Sequence, residues 1–170
     1  MANQRQLEIL NSGVDAWNNW RRINPLEQID LSGVGLEGVD LRRCNLRKAI
    51  LGGSIVECDL RETSLQGSAI RDLVLAKCDL SNTLIDNAEI TRVNAFNCSF
   101  NFGRLDGSRI DGASQFRACS FRCSSFVGAR SSRVEFYRSY LKDADMRFAE
   151  FNESKFRECR SEEHTSELQS

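Results

Sequence analysis

A five-residue period runs through most of the 170-residue chain and restricts what it can fold into. Counting every fifth position gives 26 repeat centres, of which 24 are Leu, Ile, Phe or Met, and the exceptions are Ala95 and Ser131. The centres run from Leu31 to Leu51, from Ile55 to Ile110 and from Phe116 to Phe156. The two breaks correspond to one missing residue before Ile55 and one extra residue near 111–113.

A second series lies two residues before each centre. Of its 26 positions, 24 are Ala, Cys, Ser, Thr, Gly or Val, and the exceptions are Ile29 and Leu73. Neither series contains a charged residue, although 28% of the chain is charged. The two series therefore indicate two kinds of inward position, one for a large side chain and one for a small side chain.

The period of five excludes a regular helix and a long strand, whose side chains repeat every 3.6 and 2.0 residues. It is the period of a chain that turns a corner every five residues. Each side of such a coil directs its centre and the preceding small residue inward, while the other three residues face water. Successive coils then stack at the spacing of β-strands, about 4.8 Å. We expect stability to be nearly a sum over neighbouring coils.

The repeats themselves carry a family resemblance. The stretches Val39–Arg43, Cys58–Glu62 and Cys78–Asn82 resemble the A(D/N)LXX repeat of the pentapeptide-repeat family. That resemblance implies an all-β fold, a right-handed quadrilateral parallel β-helix (β-solenoid) with four repeats per coil. We therefore predict a pentapeptide-repeat domain over residues 29–159, with about 6.5 coils and a length of roughly 30 Å.

Residues 1–28 are predicted to form an α-helical cap on the open end of this solenoid. Leu7, Leu10, Val14 and Trp17 recur at helical spacing, which predicts one amphipathic helix over residues 4–23 that stops before Pro25. Trp17 and Trp20 are expected to cover the first coil, and the alternative is a ligand platform. The segment 16–21 resembles the leader of many bacterial pentapeptide-repeat proteins. Some of those relatives carry a C-terminal signalling domain of the Toll/interleukin-receptor class.

The last eleven residues, 160–170, break the repeat and contain the only histidine, His164. They resemble a translated sequencing adapter, and the alternative is a disordered polar tail. As an adapter, this non-native segment would mark a truncated protein whose C-terminal effector domain is missing. The N-terminus lacks the charged and apolar regions of a signal peptide, and no apolar run is long enough to span a membrane. The sequence therefore predicts a cytoplasmic protein without membrane association.

The seven cysteines are interpreted as reduced core thiols. Six occupy the small inward position, and four of these, at 58, 78, 98 and 119, are expected to stack in one column. Cys123 is expected to point outward. No metal is predicted, since a zinc site needs converging thiolates and usually histidine. Disulfides are not expected in a reducing compartment, and no cofactor or small-molecule substrate is indicated.

Catalytic function has little support in the sequence. A histidine-based triad is excluded without His164. Carboxylates such as Asp40, Asp59, Asp79 and Asp145 directly precede centres, where surface or turn hydrogen bonding accounts for them. The sequence has no glycine-rich phosphate loop. We therefore predict a protein that is not an enzyme.

Charge decides between two kinds of binding protein. Some pentapeptide-repeat proteins imitate duplex DNA and bind type II topoisomerases such as DNA gyrase, which the resemblance makes the alternative function. A mimic of roughly 30 Å needs roughly 18 negative charges. Without residues 160–170 the chain has 23 − 1 = 22 basic and 24 − 3 = 21 acidic residues, a net charge of +1. This balance disfavours mimicry, and the seven arginines between Arg104 and Arg138 are interpreted as a solvated mixed surface rather than a nucleic-acid site.

An outward column with apolar character is the candidate site. Val56, Ala76, Phe96, Arg117 and Tyr137 occupy equivalent positions in successive coils. Contiguous exposed apolar side chains can mark partner surfaces, and the alternative is an exposed ladder of β-forming residues without a partner. We therefore predict a non-catalytic scaffold or protein–protein interaction module that docks another protein, another copy or a missing C-terminal region. The predicted docking residues are Val56, Val74, Phe96 and Tyr137.

Overall fold

A computed structural model describes residues 2–160 of the chain. The predicted tail at 160–170 therefore lies outside the described residues, except for Arg160, which pairs with Tyr140 in a parallel bridge. Within the described residues, two helices precede eleven strands. The helices are α1 (Gln4–Asn11) and α2 (Val14–Ile23). The strands are β1 (Asp30–Glu37), β2 (Ile50–Val56), β3 (Ala69–Ala76), β4 (Glu89–Thr91), β5 (Asn94–Phe96), β6 (Arg109–Asp111), β7 (Gln115–Arg117), β8 (Arg130–Ser132), β9 (Glu135–Tyr137), β10 (Glu150–Asn152) and β11 (Lys155–Arg157).

Every strand pairs in parallel with the strand one coil away, which builds a solenoid of about six turns. The predicted all-β, four-sided parallel β-helix with an N-terminal helical cap is confirmed. We number the sides 1 to 4 by their first two centres: Leu31 and Leu51, Leu36 and Ile55, Leu41 and Leu60, Leu46 and Leu65. Sides 1 and 2 contain the strands, whereas sides 3 and 4 contain isolated bridges such as Asp59 to Asp79 and Ser64 to Leu84.

The two inward series form the core. Every centre from Leu31 to Phe136 is buried, and Leu60, Leu80 and Phe100 follow one another up side 3 at 2–3% exposure. The centres after Phe136 are half-buried, except Phe156, which is 42% exposed. These last centres are more open because no further described coil covers them. Each coil of a solenoid is buried by its neighbouring coils. The last described coil has a neighbour on one side only and is therefore less buried.

From Phe100 onward, phenylalanine takes the place of Leu and Ile at many core centres. The rings of Phe100 and Phe121 stack with centroids 4.8 Å apart, and those of Phe136 and Phe156 with centroids 4.9 Å apart. Both spacings match the distance between neighbouring strands, because the rings stack one per coil. The two centres with small side chains each lie next to a phenylalanine: Ala95 pairs with Phe116, and Ser131 pairs with Phe151.

Both breaks in the period occur where the sequence places them. The pairing register shifts between Leu51 and Gly53, so this coil is one residue shorter than its neighbours. A side chain does not fit there, since a Cβ on Gly53 would lie against the backbone of Val34 while φ is +104°. The extra residue lies at a corner where Gly112 and Ala113 both have positive φ, at 71° and 61°.

The N-terminal cap consists of two helices, and the prediction of one helix over 4–23 is wrong. Ser12 ends α1, with its N–H and its hydroxyl both donating to the carbonyl of Glu8. Gly13 then adopts φ 103° and ψ 167°, outside helical values, before α2 begins. The helical spacing of apolar residues continues across Gly13, so the sequence pattern gave no sign of the turn.

The cap forms hydrogen bonds to the open backbone edge of the first coil. Gln6 donates to the carbonyl of Gln28 and accepts from the N–H of Asp30, both at 2.8 Å. The Trp17 indole N–H donates to the carbonyl of Asn45 at 2.9 Å. The Asn18 amide oxygen accepts the N–H of Asn45, and its nitrogen donates to the carbonyl of Arg43. Side chains of the cap thus take the place of a preceding coil, and Trp17 itself is fully buried.

Candidate functional site

Side 2 brings the predicted docking residues together. Val56, Ala76, Phe96, Arg117 and Tyr137 pair in unbroken register and form one outward column. Val74 lies in the parallel column that also contains Ser54, Asn94 and Gln115. Val74 is 37% exposed, whereas Val56, Phe96 and Tyr137 are half-buried. We call these two columns together the side-2 surface.

Strand geometry explains why these side chains point outward. Successive residues of a strand alternate between its faces. Leu75 is a centre and is buried, so its neighbours Val74 and Ala76 project to solvent. The same alternation places Phe96 beside buried Ala95 and Tyr137 beside buried Phe136. The ladder of parallel hydrogen bonds holds the backbone at each of these positions.

The charges of this surface carry information that the sequence did not single out. The guanidinium of Arg138 lies 5.0 Å from the ring centroid of Tyr137, a cation–π geometry, and also pairs with Glu158 at 2.6 Å. Arg157 lies 3.6 Å from Glu135. Arg117, between Phe96 and Tyr137 in the column, is exposed and forms no ion pair with any described residue. An arginine preceded and followed by aromatic residues at one-coil spacing is the signal that could have been found in the sequence.

Side 3 is different, because the arginines and aspartates of its first coils neutralise one another. Arg42 contacts Asp40 at 2.6 Å and Asp59 at 3.6 Å. Arg61 repeats the pattern one coil later, with Asp59 at 2.6 Å and Asp79 at 3.8 Å. The side-chain hydrogen bond from Arg42 lowers the pKa of Asp40 to about 2. The aspartates that precede centres are thus members of an alternating ladder, and they do not form an acidic stripe.

Side 4 uses its acids in the same way. Asp86 is nearly buried, at 5% exposure, and Arg104 reaches its carboxylate at 2.7 Å. Asp106 accepts hydrogen bonds from the hydroxyl of Ser125 and the N–H of Val127 in the next coil. These acids hold neighbouring coils together.

The cysteines lie where the spacing predicts them. Cys58, Cys78, Cys98 and Cys119 are buried in one column, and each is a free thiol. Burial raises the pKa of Cys44 to about 12 and raises that of Cys58 as well. Neutral thiols of this kind are poor nucleophiles and poor metal ligands. Within residues 2–160 no group of three or more His, Cys, Asp or Glu side chains is arranged to hold a metal ion.

Three exposed aromatic residues lie away from side 2 and were not singled out in the sequence. Phe102 and Phe148 occupy left-handed corner positions, with φ of 57° and 60°, and are 57% and 85% exposed. Tyr140 on side 3 is 42% exposed, and its hydroxyl accepts a hydrogen bond from Arg160. They are separated from one another on different columns, and they provide comparison positions for the side-2 surface.

No helix within the described range is long and apolar enough to cross a lipid bilayer.

Comparison with known proteins agrees with this architecture. Residues 26–67 match the family described as Pentapeptide repeats, in eight copies. A trypsin-treated variant of QnrB1, a plasmid-mediated fluoroquinolone resistance protein, has 13% sequence identity and a TM-score of 0.53, over 79% of this chain and 78% of that chain. HetL from the cyanobacterium Nostoc, a pentapeptide repeat protein involved in heterocyst differentiation regulation, has 20% identity and a TM-score of 0.49, over 76% of this chain and 69% of that chain. No curated protein sequence matches.

The fold and its repeats define a parallel β-solenoid in which each five-residue unit forms one side of a square coil. Residues 26–67 match the Pentapeptide repeats family, and the rest of the described solenoid continues the same five-residue period. The likeness to QnrB1 supports the fold alone at this level of identity.

Proposed function

We propose that this protein is a non-catalytic scaffold that binds a protein partner through the side-2 surface. The observation that carries the proposal is the unbroken register of Val56, Ala76, Phe96, Arg117 and Tyr137, which keeps apolar side chains in contact with solvent over consecutive coils. Aromatic residues and arginine are enriched at the centres of protein interfaces.

Two physical features favour binding at this side. The side chains project from backbone that the parallel ladder holds in place, so little conformational entropy is lost when a partner orders them. Phe96 and Tyr137 are half-buried, and burial of the part of each ring that remains exposed favours association. On sides 3 and 4, in contrast, many charges are already satisfied by ion pairs within the solenoid, such as those of Arg42, Arg61 and Arg104.

The absence of catalysis belongs to the same proposal. The carboxylates of sides 3 and 4 serve arginines and backbone N–H groups, and the buried thiols of Cys44 and Cys58 have raised pKa values. We place the scaffold in the cytoplasm, where a reducing environment keeps its seven cysteines as free thiols.

Selection from a displayed library of random peptides tests the docking surface, because such a library samples many binding chemistries at once. The intact protein is immobilised, and retained peptides are then tested on a double variant, Phe96→Ser with Tyr137→Ser. We expect binding to fall by more than about tenfold, since two large apolar contacts are lost. Circular dichroism and thermal unfolding check that the variant remains folded.

A matched control removes two exposed aromatic residues elsewhere, through Phe102→Ser with Tyr140→Ser. This control should bind the selected peptides as the unchanged protein does. If the two double variants lose binding equally, or if neither loses it, the side-2 surface is not the docking site.

A further inference from the structure

We infer that Arg117 selects the partner, and that the side-2 surface recognises a protein segment carrying a carboxylate next to apolar side chains. This inference rests on the proposed docking function and adds the chemistry of the partner. It starts from the juxtaposition of Phe96, Arg117 and Tyr137 in three consecutive coils of one column.

Arg117 differs from most arginines of the solenoid because no described acid neutralises it. In the coils that follow Arg117, Arg157 forms an ion pair with Glu135, and Arg138 forms one with Glu158. In the coils that precede Arg117, Lys77 forms an ion pair with Glu57 at 2.9 Å. Arg133 and Lys155, higher on the same side, likewise form no ion pair among residues 2–160. The upper half of side 2 therefore presents an excess of positive charge around an arginine available to a ligand.

The position of Arg117 suits a carboxylate. A guanidinium binds a carboxylate through two parallel N–H···O hydrogen bonds, which give both energy and orientation. Among the described residues, the cation–π contacts involve Arg21, Arg138 and Arg160, and Arg117 makes none. When a partner packs on Phe96 and Tyr137, it excludes water from Arg117 and strengthens the ion pair between them.

The apolar part of the surface argues for a protein segment rather than a nucleic acid. Nucleic-acid binding depends on many cations that neutralise successive phosphates. Here one central arginine has Phe96 and Tyr137 as its column neighbours, with Val56, Val74 and Ala76 in the coils below. Those valines offer nothing to a phosphate backbone, whereas they complement Leu, Ile, Val or Phe side chains beside an Asp or Glu. A segment with one acidic side chain among apolar side chains therefore fits this column, with the acid at Arg117.

The peptides selected by the intact protein test this chemistry directly. We expect enrichment of sequences with Asp or Glu beside apolar or aromatic residues. For a synthetic peptide of the enriched sequence, Arg117→Ala should weaken binding on the order of tenfold, as expected for loss of a hydrogen bond to a charged group. Replacing the acid of the peptide by its amide should cause a similar loss on the unchanged protein and little further loss on Arg117→Ala.

Arg122→Ala is the matched control, since Arg122 is exposed on side 3 of the same coil and lacks a described ion-pair partner. It should change affinity by less than about twofold. Raising the salt concentration should weaken binding to the unchanged protein more than to Arg117→Ala.

Four outcomes would overturn the inference. Enriched peptides without acids, or equal losses in Arg117→Ala and Arg122→Ala, would show docking without selection by Arg117 and would leave the proposed function intact. Enrichment that does not depend on Phe96 and Tyr137 would contradict the proposed function itself. Self-association that is abolished by Phe96→Ser with Tyr137→Ser would identify a second copy of the chain as the occupant and would also reject the acidic segment.

Discussion

At the scale of single residues, two buried serines show that the effect of a hydroxyl group on stability depends on whether it has a hydrogen-bond partner. Ser139 lies in the small-residue column, accepts the N–H of Cys119 at 3.2 Å and donates to the carbonyl of Phe116 at 3.1 Å. Ser131 lies at a centre, between Ile110 and Phe151, and its hydroxyl has no hydrogen-bond partner among the described residues. Both are almost completely buried. A hydroxyl removed from water without a partner destabilises a fold, whereas a satisfied hydroxyl stabilises it.

Replacing each serine by alanine should therefore have opposite effects. We expect Ser131→Ala to raise the free energy of unfolding by about 1 kcal/mol, and Ser139→Ala to lower it by about 1–2 kcal/mol. Urea unfolding of the two variants against the unchanged protein measures both. Destabilisation of similar size in both variants would show that Ser131 has a partner in solution.

At the scale of elements, the two-helix cap does the work of a missing coil. An open solenoid end exposes backbone donors and acceptors as well as apolar side chains, and both must be covered. Gln6 is 1% exposed and satisfies one donor and one acceptor of the first coil, as a neighbouring strand would. Trp17 adds apolar cover and one further hydrogen bond.

Truncation of Gln6 tests this role. Gln6→Ala leaves the N–H of Asp30 and the carbonyl of Gln28 without their partner, and we expect a loss of about 2–3 kcal/mol in the free energy of unfolding. Gln4→Ala in the same helix is the control, because Gln4 is exposed and should change stability by less than about 0.5 kcal/mol. Equal effects of the two changes would mean that water replaces the Gln6 hydrogen bonds at little cost.

The sequence predicts the solenoid well because each repeat shows the same pattern of one small and one large inward residue. A slip of one position would place charged residues inside, so the two inward series fix the register and locate both the short coil at Gly53 and the extra residue near Ala113. The break at Gly13 was missed because the apolar spacing from Leu10 to Trp17 continues across it. Composition also gave no indication that Arg117 lacks a partner, since ion pairing between coils depends on which outward residues become vertical neighbours.

At the scale of the whole molecule, ion pairs within and between coils cover much of the surface. The pKa of Asp40 is lowered to about 2, first by its hydrogen bond from Arg42. Hydrogen bonds from Arg61 and Arg147 lower the pKa of Asp59 and Asp145, and that from Arg43 lowers the pKa of Glu62. A carboxyl group with a lowered folded-state pKa stabilises the fold above its unfolded pKa, and this stabilisation is lost as the pH falls through the folded value.

Acid should therefore destabilise the solenoid in a defined window. The contribution of these carboxylates is complete at neutral pH and should disappear between about pH 4 and about pH 2. Because the groups are largely exposed, the loss should be smaller in about 1 M salt, where the pairs are already screened. Urea unfolding across this pH range at low and high salt measures the effect. Stability that is unchanged, or that rises, towards pH 2 would contradict it.

The central functional claim is that partners bind side 2, and the two tyrosines offer a direct test. Tyr137 lies on the side-2 surface and Tyr140 on side 3 of the same coil. In protein labelled with fluorinated tyrosine, addition of a selected peptide should shift the Tyr137 resonance, while Tyr140, assigned through Tyr140→Phe, keeps its position. A shift of Tyr140 alone, or of neither resonance at saturating peptide, would contradict docking at side 2.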